Sequence, residues 1–301
     1  MEVKKNSLKA WFLAMRPKTL TGAATPVLIA GVMSAFHLHM DMARFPFLPF
    51  ILCLIFAWVM QVAANFVNDW YDYRRGTDGK ERLGPRRACA SGWVTPRAML
   101  VATCVTLFLA LLVGLPLAVY GGKAMLLVGA SCLLFCVLYT TFFSYKGLGD
   151  ILVILFFGII PVCVTYYLLT GSVGWQVSFI AVGTGLVVDC LLIVNNYRDR
   201  FTDEACGKRT LIVRLGSVWA ERLYLVCGVA GVCSAIPFLV SLQWWSFLLM
   251  LPYLFLHFTT WRKMVAIGKG KALNAVLGET ARNIFVYGLS FVALLGCHLF
   301  V

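Results

Sequence analysis

The chain has 301 residues, 61% of them apolar and only 13% charged, with a mean hydropathy of +0.85. A water-soluble domain carries roughly twice that charged fraction, so the composition excludes an ordinary soluble enzyme and points to a protein embedded in a bilayer. A net charge of +13 raises nucleic acid as a partner, but the placement of the basic residues accounts for it without one.

Met1–Lys18 is basic and lacks the apolar run and small-residue site of a cleavable leader. Nine apolar segments follow, at 20–37, 46–67, 98–119, 123–143, 150–170, 175–196, 223–241, 244–261 and 283–301. Each is long enough to cross ~30 Å of hydrocarbon as a helix. Tight hairpins are expected at Gly121-Gly122, Gly171–Gly174 and Leu242-Gln243. The expected fold is therefore all-α: a single integral-membrane domain over 1–301, nine transmembrane helices bundled around a central cavity. On that topology, 24 of the 26 Lys and Arg residues fall in loops on the N-terminal side, and only Arg44 and Lys123 lie opposite. The positive-inside rule then places the N-terminus in the cytoplasm.

The second segment ends in Asn65, Asn68, Asp69 and Asp72, which recur at i, i+3, i+4 and i+7 and so share one helix face. Each acid near a bilayer core costs roughly 2.5–3.5 kcal/mol, so the cluster calls for a compensating metal ion or polar substrate. The loop that follows, Arg74 to Arg97, is rich in Gly and Pro turn formers and carries Asp78, Arg82, Arg86 and Arg87. Its arginines either pair with phosphates or set topology and touch anionic lipid. The short loop Tyr145–Asp150 adds Lys146. Asp189 lies ten residues before Asp199, about 15 Å deeper on a continuous helix; it either lines a polar cavity or bonds a neighbouring helix. The sixth segment then ends in Asn195, Asn196, Asp199 and Asp203, followed by a loop in which Arg198, Lys208 and Arg209 interleave with the acids.

Two clusters of acids and amides, each at the mouth of its own helix, can face one another across a cavity; the plainer alternative is two ordinary polar loop starts. Carboxylate and amide oxygens are hard ligands suited to Mg²⁺ with phosphate oxygens. The eleven cysteines form no CxxC pair, which supports neither a zinc site nor a disulfide framework. The four histidines adjoin neither cluster.

Four stretches carry a resemblance: RPKTL (16–20), NFVNDWYDYRRGTDGKERLGPRRACASG (65–92), YKGLGD (145–150) and NNYRDRFTDEACGKRTLIVRLG (195–216). In that order they resemble the UbiA superfamily of intramembrane aromatic prenyltransferases, and more narrowly its branch acting on 1,4-dihydroxy-2-naphthoate in menaquinone synthesis. The general superfamily pattern would put an acid at Gly76, where this chain has Asp78 instead. The resemblance implies polyprenyl diphosphate and 1,4-dihydroxy-2-naphthoate as substrates, loss of CO₂, a bacterial cytoplasmic membrane as location, and a site open to the cytoplasm. It also implies two Mg²⁺ ions held by Asn68, Asp69, Asp72, Asp78, Asn196, Asp199 and Asp203. Lys146, Arg198, Arg209, Arg82 and Arg86 are the candidates for binding the diphosphate, with Asp72, Asp199 and Lys146 as the catalytic set. The competing expectations are an acceptor such as 4-hydroxybenzoate, or a transporter that couples cations to its intramembrane acids.

Overall fold

The structure is a computed structural model, which describes residues 3–38, 43–76, 82–239 and 244–296. The expected residues Asp78 and Leu242-Gln243 lie outside the described residues. All regular secondary structure among the described residues is helical. Ser7 caps α1 (Leu8–Met15) by accepting from the Ala10 amide at 3.3 Å. Arg16 then turns the chain at φ 52°, and Pro17 opens α2 (Pro17–His37). α3 (Phe47–Arg75) ends on Gly76 at φ 69°. After it come α4 (Pro96–Gly114, continued by Leu117–Gly121), α5 (Ala124–Thr141) and α6 (Gly149–Thr170). α7 (Trp175–Ala205) and the short α8 (Leu211–Leu215) lead to α9 (Ser217–Cys233), α10 (Leu251–Ile267) and α11 (Leu273–Gly296).

A helix falls on each of the nine apolar segments. Among the described residues six, α2 to α7, are long and apolar enough to cross a membrane. α9 and α10 are 17 residues each, and α11, of 24 residues, carries Glu279 and Arg282. Two helices run further than the hydropathy suggests. α3 has 29 residues and α7 has 31, so at 1.5 Å per residue they reach about 43 and 46 Å. That is some three turns beyond ~30 Å of hydrocarbon. The acid clusters ride on these overruns, on helix rather than on loop starts.

Burial separates inner from outer helices. In α2 and α7, 61% and 67% of the apolar window is buried, against 11% in α5. The main core joins Ile29 and Met33 of α2, Ile180 and Val187 of α7, and Tyr287 and Phe291 of α11. Outer faces carry exposed apolar side chains, such as Val101, Val105 and Phe108 on α4 and Phe255 on α10. Rows of that kind are stable only against lipid. α6 lies close against α7 because Gly158 and Gly185 face each other. A Cβ added at Gly158 would sit 2.5 Å from the Ala181 carbonyl oxygen, and the helix opens there into a π turn, Leu155–Ile159.

The loop from 82 to 95 is a folded roof. Ala88, Cys89 and Val94 bury against Phe66 of α3, Met99 of α4, and Ala10 and Ala14 of α1. Asn6 donates its amide to the Trp93 carbonyl at 2.7 Å and accepts from the Thr95 amide at 3.2 Å. Thr95 caps α4 through the Ala98 amide.

Candidate active site

A cavity of about 910 Å³ opens beneath this roof. Its mouth is polar, with Asn68 and Asp72 from α3, Asn195 and Asn196 from α7, Arg82 and Arg87 from the roof, and Lys208 from the loop after α7. Its depth is greasy: Phe56 and Met60 of α3, Phe135 of α5, and Phe156 and Phe157 of α6 form the walls. One cavity thus draws on both halves of the chain.

The α3 cluster splits along its face. Asn65 donates to the Met15 carbonyl at 2.8 Å and to the Thr19 hydroxyl at 3.0 Å, which ties α3 to the junction of α1 and α2. Asn68 accepts from the Thr140 hydroxyl at 2.7 Å and faces the cavity. Asp72 also faces it, and receives the Arg87 guanidinium at 3.0 Å. Asp69 does not line the cavity. It is 1% exposed, and its two oxygens accept the Ala88 and Cys89 amides, both at 2.8 Å, with the Arg16 guanidinium 3.8 Å away. Asp69, expected as a metal ligand, is placed by these contacts as a strut that pins the roof.

The α7 cluster is organised around Arg198, whose side chain is fully buried. Its Nε donates to Asp199 Oδ1 at 2.7 Å, while its two terminal nitrogens reach Asn195 Oδ1 at 2.7 Å and Asn274 Oδ1 at 2.9 Å. Asn274 in turn donates to the Leu83 carbonyl at 2.8 Å. Arg198, expected to bind diphosphate, instead links α7, α11 and the roof. Gly84 permits this: a Cβ there would meet Arg198 Nη2 at 2.7 Å. Asp203 pairs with Lys208 at 3.5 Å, and its Oδ2 is buried without a hydrogen-bond partner among the described residues.

The other expected cations divide. Arg82 lines the cavity and donates to the Pro85 carbonyl at 3.0 Å. Arg86 and Arg209 are exposed on the outer surface. Lys146 is exposed with its ammonium 3.8 Å from the Phe142 ring centre, and it does not line the cavity. Gly147 at φ 75° ends the preceding turn, and a Cβ there would meet the Arg209 carbonyl oxygen at 2.6 Å, so the loop after α7 packs directly on this turn. Lys208, Arg87 and Arg16 hold the mouth positions instead. Arg16 had a signal in the sequence, since it precedes a proline between two helices, but its backbone at φ 52°, rare outside glycine, shows only in the structure.

Tyr145 also lines the mouth, with the Arg75 guanidinium 4.7 Å from its ring centre. Burial, and then the Asp72 charge, push its phenol above the ordinary value, so at neutral pH it is a hydrogen-bond donor.

Acids and bases are paired at and beside the mouth: Asp72 with Arg87 on the cavity wall, and, behind the Asn195 and Asn196 that line it, Asp199 with Arg198 and Asp203 with Lys208, neither Asp199 nor Asp203 lining the cavity itself. No three metal-ligating acids, histidines or cysteines converge among the described residues. The oxygen donors themselves suit a hard divalent cation, and the buried, unengaged Asp203 Oδ2 is the kind of atom such an ion satisfies.

A model of the UbiA prenyltransferase family matches residues 24–289. A 1,4-dihydroxy-2-naphthoate octaprenyltransferase of Mycobacterium leprae is 33% identical over 287 residues, covering 94% of this chain and 95% of that protein. A protein of the same name from Escherichia coli is 32% identical over 299 residues, covering 94% of each. Among solved structures, a UbiA homolog from Aeropyrum pernix superposes with a TM-score of 0.67 at 16% identity, covering 90% of this chain and 96% of that one. A UbiA homolog from Archaeoglobus fulgidus bound to DMAPP and Mg²⁺ superposes at 0.62 and 14% identity, covering 94% and 98%.

Proposed function

The chain belongs to the UbiA prenyltransferase family, and on that premise we propose that it moves a polyprenyl group from its diphosphate onto 1,4-dihydroxy-2-naphthoate. CO₂ and diphosphate leave, and demethylmenaquinol is formed. The observation that carries this is the cavity's division into a charged mouth and an aromatic, aliphatic depth, a match for a diphosphate head on a long hydrocarbon tail. The acceptor follows from relatives named for it over nearly the full chain.

In this reading all nine apolar helices span a bacterial cytoplasmic membrane, with the N-terminus and the mouth on the cytoplasmic side. Two Mg²⁺ ions would be held by Asn68 and Asp72 from α3 and by Asn196, Asp199 and Asp203 from α7. Bound there, Mg²⁺ would supply the neutralising charge that a diphosphate leaving group needs. Arg87 and Lys208, released from their acids, take phosphate oxygens, and Arg82 and the Tyr145 hydroxyl add donors. Binding would then be an exchange of partners, acids toward cations and bases toward phosphate, with no charge left buried alone. The walls Phe135, Phe156 and Phe157 keep water from the allylic cation and offer it aromatic faces. Asp69 and Arg198 hold the roof and the two helix ends in register.

The test is incubation of the purified protein with the naphthoate, prenyl diphosphates of several lengths and Mg²⁺, followed by mass analysis of the lipid product. A prenylated naphthalenediol lacking the carboxylate is expected. Prenylation of 4-hydroxybenzoate in its place would refute the acceptor.

A further inference from the structure

Asp69, Asp72, Asp199 and Asp203 each hold a backbone amide or a basic side chain. Asp150, at the start of α6, differs from all four. It lines the same cavity and is 6% exposed. Its Oδ1 has no hydrogen-bond partner among the described residues. The titratable groups near enough to feel its charge are Asp189 of α7, Tyr139 of α5 and Cys227 of α9; Tyr139 also feels Asp72. Asp189 is 3% exposed, and its Oδ1 is likewise unengaged among the described residues. Among the described residues no lysine or arginine forms an ion pair with Asp150. A first-turn acid that merely caps its helix is satisfied by backbone amides. Here one oxygen is left over, on a residue of the wall of the cavity that the prenyl-transfer reading assigns to the acceptor ring. Such an atom is suited to accept a proton from substrate.

We infer that Asp150 is the proton store of the transfer, taking the acceptor's hydroxyl proton and later returning it. The inference rests on the prenyl-transfer reading above. The acceptor O–H bond breaks and its proton passes to Asp150. The pair left on oxygen drives the carboxylate-bearing ring carbon onto the first prenyl carbon, whose bond to diphosphate breaks with its pair leaving on the diphosphate oxygen. The ring now holds a ketone beside a quaternary carbon that bears the carboxylate. Its bond to CO₂ breaks, the pair restores the aromatic ring as a naphtholate, and Asp150 gives the proton back. Carboxylate acceptor and prenyl diphosphate become naphthalenediol, CO₂ and diphosphate with no net proton exchanged. A store buried away from water therefore suffices, and no proton path to solvent is needed.

The experiment compares wild type, Asp150→Asn and Asp150→Glu with the naphthoate and a prenyl diphosphate from about pH 6 to about pH 10. For Asp150→Asn, kcat is expected to fall about 100-fold near neutral pH, with the KM for prenyl diphosphate within about twofold of wild type. The deficit should shrink at high pH, where the acceptor ionises unaided, and Asp150→Glu should recover most of the rate. A kcat for the asparagine variant within about threefold of wild type overturns the inference, as does a loss equal at every pH or matched by a rise in that KM. Binding of an unreactive prenyl thiolodiphosphate shows that the asparagine variant is folded. Should it fail to fold, Asp150→Glu decides alone: a displaced pH profile is expected, and an unmoved one overturns the store. Wild type that makes no prenylated naphthalenediol overturns the acceptor reading and the store together, an outcome recognised without any variant.

Discussion

Replacing Asp69 with asparagine separates two roles that one aspartate can play. In the structure its carboxylate accepts two roof amides at 2.8 Å each and is almost wholly buried. Asparagine keeps one acceptor oxygen and turns an NH₂ toward the other amide. One charge-assisted hydrogen bond is lost, worth about 1.5–3 kcal/mol, and one buried N–H is left without a partner, at about 1–3 kcal/mol. Allowing for overlap between these two costs, the docked roof is weakened by about 2–4 kcal/mol. At 1.4 kcal/mol per decade, that is roughly a 30- to 700-fold larger open population. Hydrogen exchange read by mass spectrometry over 82–95 measures it directly, and the Ala88 and Cys89 amides should exchange faster by that order. Mg²⁺ dependence of turnover should keep its midpoint while kcat falls. Unchanged exchange together with a Mg²⁺ requirement raised tenfold or more would refute the strut and restore Asp69 as a ligand.

Other outcomes follow from the same geometry. Lys146→Ala should leave steady-state kinetics with both substrates within about threefold, since its ammonium lies outside the cavity over Phe142. Lys208→Ala should raise the KM for prenyl diphosphate by about 10- to 100-fold, the value of a charge-assisted contact. A larger effect from Lys146 than from Lys208 would reverse their assignment. Gly129 lines the cavity with nothing within 4 Å of an added Cβ. Gly129→Phe should therefore fold, accept short prenyl diphosphates and reject long ones, as read by product masses; equal use of all lengths would place the tail elsewhere.

Much of this arrangement was legible in the residues. Two helices ending in acids and amides had to meet a compensating partner, because carboxylates at a membrane mouth are costly, and residues of both clusters do face one cavity. Hydropathy placed the helix ends too early, at 67 and 196, because it senses the change of solvent and not the end of backbone hydrogen bonding; the helices run to Arg75 and Ala205. The split between Asp69 and Asp72 was not legible. Their shared face is about 100° wide, and the roof docks on one edge of it while the cavity opens on the other. Arg198 read as a phosphate ligand because charge pattern carries no depth. Its burial depends on Asn274, 76 positions away, and on the bare backbone of Gly84. The choice of Lys208 over Lys146 depends on how Gly147 packs on the loop after α7, a tertiary contact with no local signature.

The partner exchange at the mouth is tested most directly by calorimetric titration of Mg²⁺ into the purified protein, with and without an unreactive prenyl thiolodiphosphate. Because the acids are already paired with bases, Mg²⁺ alone should bind weakly, and the analogue should tighten it by about 100-fold, with the reciprocal gain for the analogue in Mg²⁺. Mg²⁺ that binds as tightly without the analogue as with it would contradict the exchange.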